Sequence, residues 1–244
     1  MTRIAVVTGA SSGIGAATAR LLSREYMVYC VARRTERIEA LVAEIGGVAL
    51  TCDLTDASQV TQMAARIGDQ VDVLVNNAGG AFGQEPLATD DLTRWERMYA
   101  INVLGAAQVT QALLPALRSS KGTVVFVTST AADAPYEGGG GYCGVKAAER
   151  SMAGALRLEL AGEPIRICEI SPGMVYTEEF SLTRFNGDQA RAEAVYAGVA
   201  EPLVADDIAE AIAWMVTRPP HVNIDRMVVR PVAQAANHKV VRTG

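Results

Sequence analysis

Tyr142 and Lys146, in Tyr142-Cys143-Gly144-Val145-Lys146, stand four residues apart. On a helix that spacing puts both on one face, so the two side chains can line one cleft. An unperturbed phenol, with a pKa of about 10, is a poor base near neutral pH, but a nearby ammonium stabilises its phenolate. Tyr142 can then pass a proton to or from an alcohol oxygen as general acid or base. Ser129 lies upstream at the end of an apolar run and can hydrogen-bond the same oxygen as charge develops on it. The Tyr–Lys spacing alone is common, and an exposed helix pair is the alternative. Lys121, Lys146 and Lys239 are the only lysines; arginine supplies the remaining basic charge. Asn102, within Met98-Tyr99-Ala100-Ile101-Asn102-Val103, is a polar residue in a mostly apolar helical stretch. Its spacing does not decide between an interior role and a solvent-facing one.

A second group of residues suits a dinucleotide. Thr8-Gly9-Ala10-Ser11-Ser12-Gly13-Ile14-Gly15 follows an apolar run and opens a helical one. Glycine lets the backbone turn tightly and approach a pyrophosphate, whose charge is favoured at a helix N-terminus. Ala32-Arg33-Arg34 ends the next strand, where NAD-selective sites commonly carry an acidic residue for the ribose 2′-hydroxyl. Two guanidiniums there suit a 2′-phosphate and so NADP(H), with NADPH preferred over NADH. The alternative is a solvated charge pair at the start of the next helix, although the helix dipole disfavours cations there. Asp53-Leu54 follows the third strand, within reach of an adenine edge. Asn76-Asn77-Ala78-Gly79 ends the fourth, at the sheet edge where ligands of open α/β folds bind.

The elements that must position these groups alternate. Strands are predicted at Ile4–Val7, Val28–Val31, Val48–Cys52, Val71–Val75, Val124–Val127, Ile165–Ile170 and Met227–Val229. Helices are predicted over Ile14–Arg24, Thr35–Ile45, Ser58–Ile67, Leu92–Leu117, Tyr142–Leu160 and Asp206–Val216. Nearly continuous apolar strands separated by helices imply a predominantly parallel sheet covered on both faces, and right-handed crossovers make it a doubly wound α/β Rossmann fold. No linker or repeat divides residues 1–244, which read as one domain. The polar stretch 178–203 is the exception, a candidate substrate-loop insertion. Gly138–Gly141 reads as a loop before the Tyr142 helix.

The chain has 244 residues, half of them hydrophobic, with 22 basic and 27 acidic groups and a net charge of −5. An acidic balance argues against nucleic-acid or anionic-membrane partners, which need a basic surface. No apolar run approaches the ~18–20 residues of a membrane span. Cys30, Cys52, Cys143 and Cys168 are dispersed and, with His221 and His238, show no metal-ligand spacing, so reduced thiols, a cytoplasmic protein and no metal site are expected. No signal peptide is expected either.

Taken together, T-G-x-x-x-G-x-G, N-N-A-G, the helical Asn, the Ser, Y-x-x-x-K and a later P-G resemble the short-chain dehydrogenase/reductase family over essentially the whole chain. The resemblance implies a tetrad of Asn102, Ser129, Tyr142 and Lys146. Tyr142 would donate the proton in ketone reduction and Ser129 would polarise the carbonyl. Lys146 would hold the nicotinamide ribose, and Asn102 would hold a relay water through a local helix distortion. Pro172-Gly173-Met174-Val175-Tyr176-Thr177 resembles the family's P-G-x-V-x-T segment, so Pro172, Gly173 and Val175 would line the cofactor and Thr177 would bond its carboxamide. The two long central helices resemble the family's oligomer interface, which implies a homotetramer.

Thr177–Ser181, Arg184–Asp188 and Arg230–Gln234 are similar to NADP-dependent 3-hydroxy acid dehydrogenases acting on serine or allo-threonine. Arg184 is then the candidate for a substrate carboxylate, the alternative being a solvated loop arginine. Gly138–Gly141 departs from the family's more varied loop and is expected to line the substrate pocket. The implied activity is NADP(H)-dependent interconversion of a secondary alcohol and a ketone in a small molecule. A 3-oxoacyl thioester reductase and a non-catalytic NADP sensor are the alternatives.

Overall fold

The computed structural model describes residues 2–243. Seven strands form one parallel sheet: β1 (Ile4–Thr8), β2 (Met27–Ala32), β3 (Val48–Thr51), β4 (Val73–Asn76), β5 (Thr123–Val127), β6 (Arg166–Pro172) and, after two short strands, β9 (Met227–Val229). Their order is β3-β2-β1-β4-β5-β6-β9. The chain winds outward from β1 to β3, returns beside β1 as β4, and then winds the other way. The crevice at the carboxyl ends of β1 and β4 is therefore the switch point at which such sheets bind ligands.

β4 and β5 are buried along their whole length, so their side chains alternate between two apolar layers. Ala5, Val7, Val75 and Val125 pack with α1 (Gly13–Leu22), α2 (Thr35–Ile45) and α9 (Ala205–Val216) through Ala19, Ile38 and Ile212. Val6, Leu74, Val124 and Phe126 pack against α3 (Ala57–Ile67), α5 (Gly105–Ser120) and α6 (Gly140–Glu159) through Val60, Leu113 and Ala153. Gly46, in the left-handed region with φ 72°, ends α2. The Asp56 carboxylate caps α3 by accepting from the Ser58 and Gln59 amides.

Several boundaries differ from those expected. β4 starts at Val73 because the Val71 amide donates instead to Ser120 Oγ (3.0 Å). The expected helix 92–117 is α4 (Leu92–Tyr99), a π-helical turn (Ala100–Leu104) and α5. By length and composition this Leu92–Ser120 stretch is sufficient to cross a membrane, contrary to the expectation that no run suffices. Half of its apolar window is buried within the protein, however. Residues 178–203 carry α7 (Phe180–Arg184) and α8 (Gln189–Ala194), and pairing of β7 (Val175–Tyr176) with β8 (Leu203–Val204) closes the segment. The chain ends in an antiparallel pair, β10 (Gln234–Ala236) and β11 (Lys239–Val240).

Gly140 and Gly141 belong to the first turn of α6 rather than to a loop. A Cβ on Gly141 would lie 2.5 Å from Met98 Cε and 2.8 Å from Trp95 Nε1; one on Gly139 would lie 2.4 Å from the Tyr136 ring. The tract lets α6 seat closely on α4. It does not line the central cavity as expected, because its space is already filled by these side chains.

Phe126 is fully buried at the centre of β5. Phe126→Ala removes that packing and leaves a cavity, lowering stability by roughly 3–5 kcal/mol, measurable as an earlier urea-unfolding midpoint.

Candidate active site

The carboxyl edge of the sheet opens into a cavity of about 690 Å³ that runs from the glycine turn after β1 to the first turn of α6. Buried behind its wall, the Thr8 hydroxyl donates to the Val75 carbonyl (3.2 Å) and accepts from the amides of Asn77 and Ala78 (both 3.0 Å). Asn77 Nδ2 returns a bond to the Thr8 carbonyl (2.9 Å). β1 and β4 are thus fastened where the strand order reverses. Gly9 (φ 66°) fits against this joint, since a Cβ there would lie 2.8 Å from Ala78 Cα.

The other expected cofactor residues separate into two sets. Gly9, Ser11, Ser12, Gly13 and Ile14 line the cavity, as do Arg33, Arg34, Asp53, Leu54, Asn77, Ala78, Gly79, Pro172, Gly173, Val175 and Thr177. Gly15 lies behind the wall, where a Cβ would be 2.4 Å from the Gly9 carbonyl. Asn76 is also behind it: Nδ2 donates to Thr110 Oγ1 (2.8 Å), tying β4 to α5. Asp53 lies at the edge with its amide donating to Gln59 and its Oδ1 accepting from Thr55. The Thr55 backbone bond, chiefly, holds its carboxyl below the usual carboxylate range.

The N-terminus of α1 has no side-chain cap, which leaves its amides and positive dipole end facing this space. Arg34 fans over it. Nε and Nη2 donate to Ser11 Oγ (3.1 and 2.8 Å), Nη2 also donates to Ser12 Oγ (2.8 Å), and Nη1 donates to Glu179 Oε1 (2.8 Å). Arg37, one turn into α2, reaches the same carboxylate (3.1 Å). The Arg34 hydrogen bond holds the Glu179 carboxyl below its usual range. Sequence reading missed both Arg37 and Glu179. The i, i+3 spacing of Arg34 and Arg37 was a visible signal for the first, but the second comes from a distant segment.

At the other end Ser129, Tyr142 and Lys146 converge on the same cavity. Ser129 Oγ accepts from the Ala131 amide (3.1 Å) and its hydroxyl reaches the Pro172 carbonyl only at 3.5 Å, leaving the proton loosely held. Tyr142 meets Phe180 edge to face, with ring centroids 5.7 Å apart. Lys146 is buried and donates to the Val127 carbonyl (3.0 Å) and to Glu149 Oε2 (2.7 Å). Burial pulls its pKa down, but the charges of Glu149 and Tyr142 outweigh that and leave it raised.

Asn102 is fully buried behind Gly79 rather than in the cavity wall. Its Nδ2 donates to the carbonyls of Gly80 (3.0 Å) and Met98 (2.8 Å), and its Oδ1 accepts from the Gly80 amide (3.2 Å). The side chain thus occupies the Met98 carbonyl, the i−4 acceptor of a regular helix, inside the π-helical turn.

Arg184, at the end of α7, lies beside the rings of Tyr136 (5.4 Å to the centroid) and Tyr142 (5.7 Å). Nε donates to the Gly83 carbonyl (3.2 Å), whereas Nη2 is buried with no hydrogen-bond partner among the described residues. Burial pushes the Tyr136 phenol up to about 12, so this neighbour stays neutral. The C-terminal segment closes the wall: Asn237 Nδ2 donates to the carbonyls of Thr130 (3.0 Å) and Ala134 (2.6 Å), and Gln234 Oε1 accepts from the Met174 amide (2.8 Å). Sequence reading assigned no role to Tyr136 or Asn237, nor to Phe180 and Gln234 within the stretches Thr177–Ser181 and Arg230–Gln234, because only the fold brings all four to this cavity.

Residues 3–184 match the family described as short chain dehydrogenase. An uncharacterized oxidoreductase of Mycobacterium tuberculosis is 54% identical over 236 residues, covering 96% of this chain and 93% of its own. A serine 3-dehydrogenase of Agrobacterium fabrum is 42% identical over 238 residues, covering 94% of each. Among solved structures, the closed form of a serine dehydrogenase complexed with NADP+ superposes with a TM-score of 0.92 at 34% identity, covering 99% of this chain and all of the other.

Proposed function

We propose that this chain, which belongs to the short-chain dehydrogenase family, uses NADP(H), in preference to NADH, to interconvert the alcohol and ketone forms of a small 3-hydroxy acid such as serine or 3-hydroxypropionate. The observation that carries the reading is one cavity with an uncapped helix end and an arginine cluster at one end and Ser129, Tyr142 and Lys146 at the other. The similarity to a serine 3-dehydrogenase and to an NADP+ complex of a serine dehydrogenase supports the substrate class and the cofactor.

The glycine cradle and open α1 terminus fit a pyrophosphate, and Arg33 and Arg34 with Ser11 and Ser12 fit a 2′-phosphate. Bound NADP(H) supplies the hydride and takes it back in the reverse direction. In reduction Tyr142 Oη gives its proton to the carbonyl oxygen, and in oxidation it takes the alcohol proton. Ser129 turns its loosely held hydroxyl proton toward the same oxygen as negative charge gathers there. Lys146 holds the ribose hydroxyls and stabilises the deprotonated Tyr142. Asn102 fixes Gly79 and Gly80 beside Lys146.

Arg184, which lines the cavity with its guanidinium 5.7 Å from the Tyr142 ring centroid, takes the substrate carboxylate, which orients the 3-hydroxyl toward Tyr142. This contact distinguishes a free acid from a thioester, whose acyl group has no carboxylate to offer. Residues 178–203 form the substrate loop of a single 244-residue domain. Tyr99, Leu104 and Leu158, exposed apolar residues on the two central helical stretches, fit burial in a homotetramer.

Hydride transfer followed by NADPH consumption on a carbonyl panel tests the reading. Tyr142→Phe lowers turnover by roughly 100-fold or more; wild-type turnover in this variant removes the mechanism. Replacing Arg33 and Arg34 together by Ser raises KM for NADPH at least about tenfold relative to NADH; an unchanged ratio removes the cofactor assignment. Arg184→Met raises KM for serine or 3-hydroxypropionate by about tenfold or more and leaves a neutral ketone little affected. Faster turnover of an acetoacetyl thioester than of these acids would favour the reductase alternative.

A further inference from the structure

Glu149 is a carboxylate in an apolar layer for which the proposed reaction has no use so far. It is 1% exposed and three residues beyond Lys146, so the helix places the two side chains one above the other. Its Oε2 accepts from Lys146 Nζ at 2.7 Å, and both partners are almost wholly shielded from water. Exposed ion pairs contribute little, but a buried pair is different in kind: removing one member leaves the other an uncompensated charge. Lys146 has two fixed contacts, the Val127 carbonyl and this carboxylate. Glu149 is the only one of the two that carries charge.

The surroundings bear on its charge from every side. On α6 it faces Lys146; Tyr142 stands one turn before that lysine and its charge acts on it, and Arg184 lies 5.7 Å from the Tyr142 ring centroid. From β6 it faces Glu169, which accepts from Thr128 Oγ1 at 2.7 Å. Beyond Glu169 stand Arg150 and Arg226, both also paired with Asp133. The π-helical turn contributes only the uncharged Asn102, near the Gly79 backbone that Lys146 also approaches. Burial pushes the Glu149 carboxyl up to about 7 against the pull of Lys146, and Glu169 adds to the rise.

We propose that Glu149 is a positioning residue for the reaction: it supplies the buried counter-charge that holds the Lys146 side chain beside Val127 and keeps it an ammonium able to stabilise the deprotonated Tyr142. An ionised Glu149 offsets the burial that would otherwise strip the proton from Lys146. Neutralising Glu149 leaves that burial unopposed by its charge, so Lys146 loses its proton more readily and the deprotonated tyrosine forms only at higher pH.

The inference rests on the Tyr142–Lys146 reading. It is tested in the same protein by the pH profile of kcat/KM for alcohol oxidation at saturating NADP+, which reports the groups of the enzyme–cofactor complex. In Glu149→Gln, which keeps an acceptor but removes the charge, the midpoint of the acid limb rises by about one pH unit. Glu149→Leu shows the same direction with a raised KM for NADP+, because Lys146 is no longer held. Glu149→Asp returns the midpoint toward wild type. An acid limb that stays in place or moves downward in the folded Gln and Leu variants overturns the proposal. So does failure of both variants to give folded protein, which would make the role structural. Wild-type turnover by Tyr142→Phe would instead remove the underlying mechanism. A Tyr142-dependent reaction with an unmoved Glu149→Gln midpoint removes only the role of Glu149.

Discussion

The Thr8 hydroxyl, caught between the Val75 carbonyl and the amides of Asn77 and Ala78, fixes the point on which the rest of the site depends. A parallel sheet buried on both faces leaves its strands apolar, so polar groups that meet a ligand are pushed to the carboxyl edge. There the ends of β1 and β4 would be free to diverge, since no crossover joins them directly. Beyond the last ladder pair, Val7 with Val75, the Thr8 hydroxyl and the Asn77 side-chain amide hold them together and satisfy backbone groups that burial would otherwise leave unpaired. The glycine turn then closes on this joint, and the α1 N-terminus points into the crevice as a consequence of the turn.

Charge is handled differently at the two ends of the cavity. Around Arg34 the groups are partly exposed, water screens them, and a carboxylate from residue 179 meets guanidiniums from α2. Around Lys146 water is excluded, and the ammonium depends on a fixed partner. The net charge of −5 describes neither place. Arg33, Arg34 and Arg37 gather on α2 and its N-terminal side, and the positive charge there suits a small anion whatever the overall balance.

Much of the fold was legible in the sequence because it follows from periodicity. The seven apolar strands, their parallel doubly wound arrangement, and α2 at Thr35–Ile45 needed only local pattern and the right-handed crossover rule, whereas the strand order came from the structure. The Tyr142–Lys146 pair was legible for the same reason, as a four-residue spacing on one helix. Asn76 and Gly15 show where the reading stopped. Both belong to the motif stretches, yet both face away from the cavity, because alternate residues of a strand and successive residues of a helix point in different directions. Gly138–Gly141 was misjudged as pocket wall, since its purpose depends on Trp95 and Met98 from another helix. Glu149 carries no signal in the sequence that separates it from other charges on helices; its burial beside Lys146 distinguishes it.

The same limit of sequence reading explains how one segment comes to join the two ends of the site. Thr177 lies over Gly13 at the cofactor turn, Glu179 pairs with Arg34, Phe180 packs on Tyr142, and Arg184 reaches the two tyrosine rings. These residues span little more than two helical turns, so displacement at one contact is felt at the next through backbone rather than solvent. A phosphate drawn to Arg34 would compete with the Glu179 carboxylate for the same guanidinium, and the segment released or retained there is the one that carries Arg184. The arginine end and the tyrosine end of the cavity therefore share one continuous piece of chain, a property that belongs to no single motif.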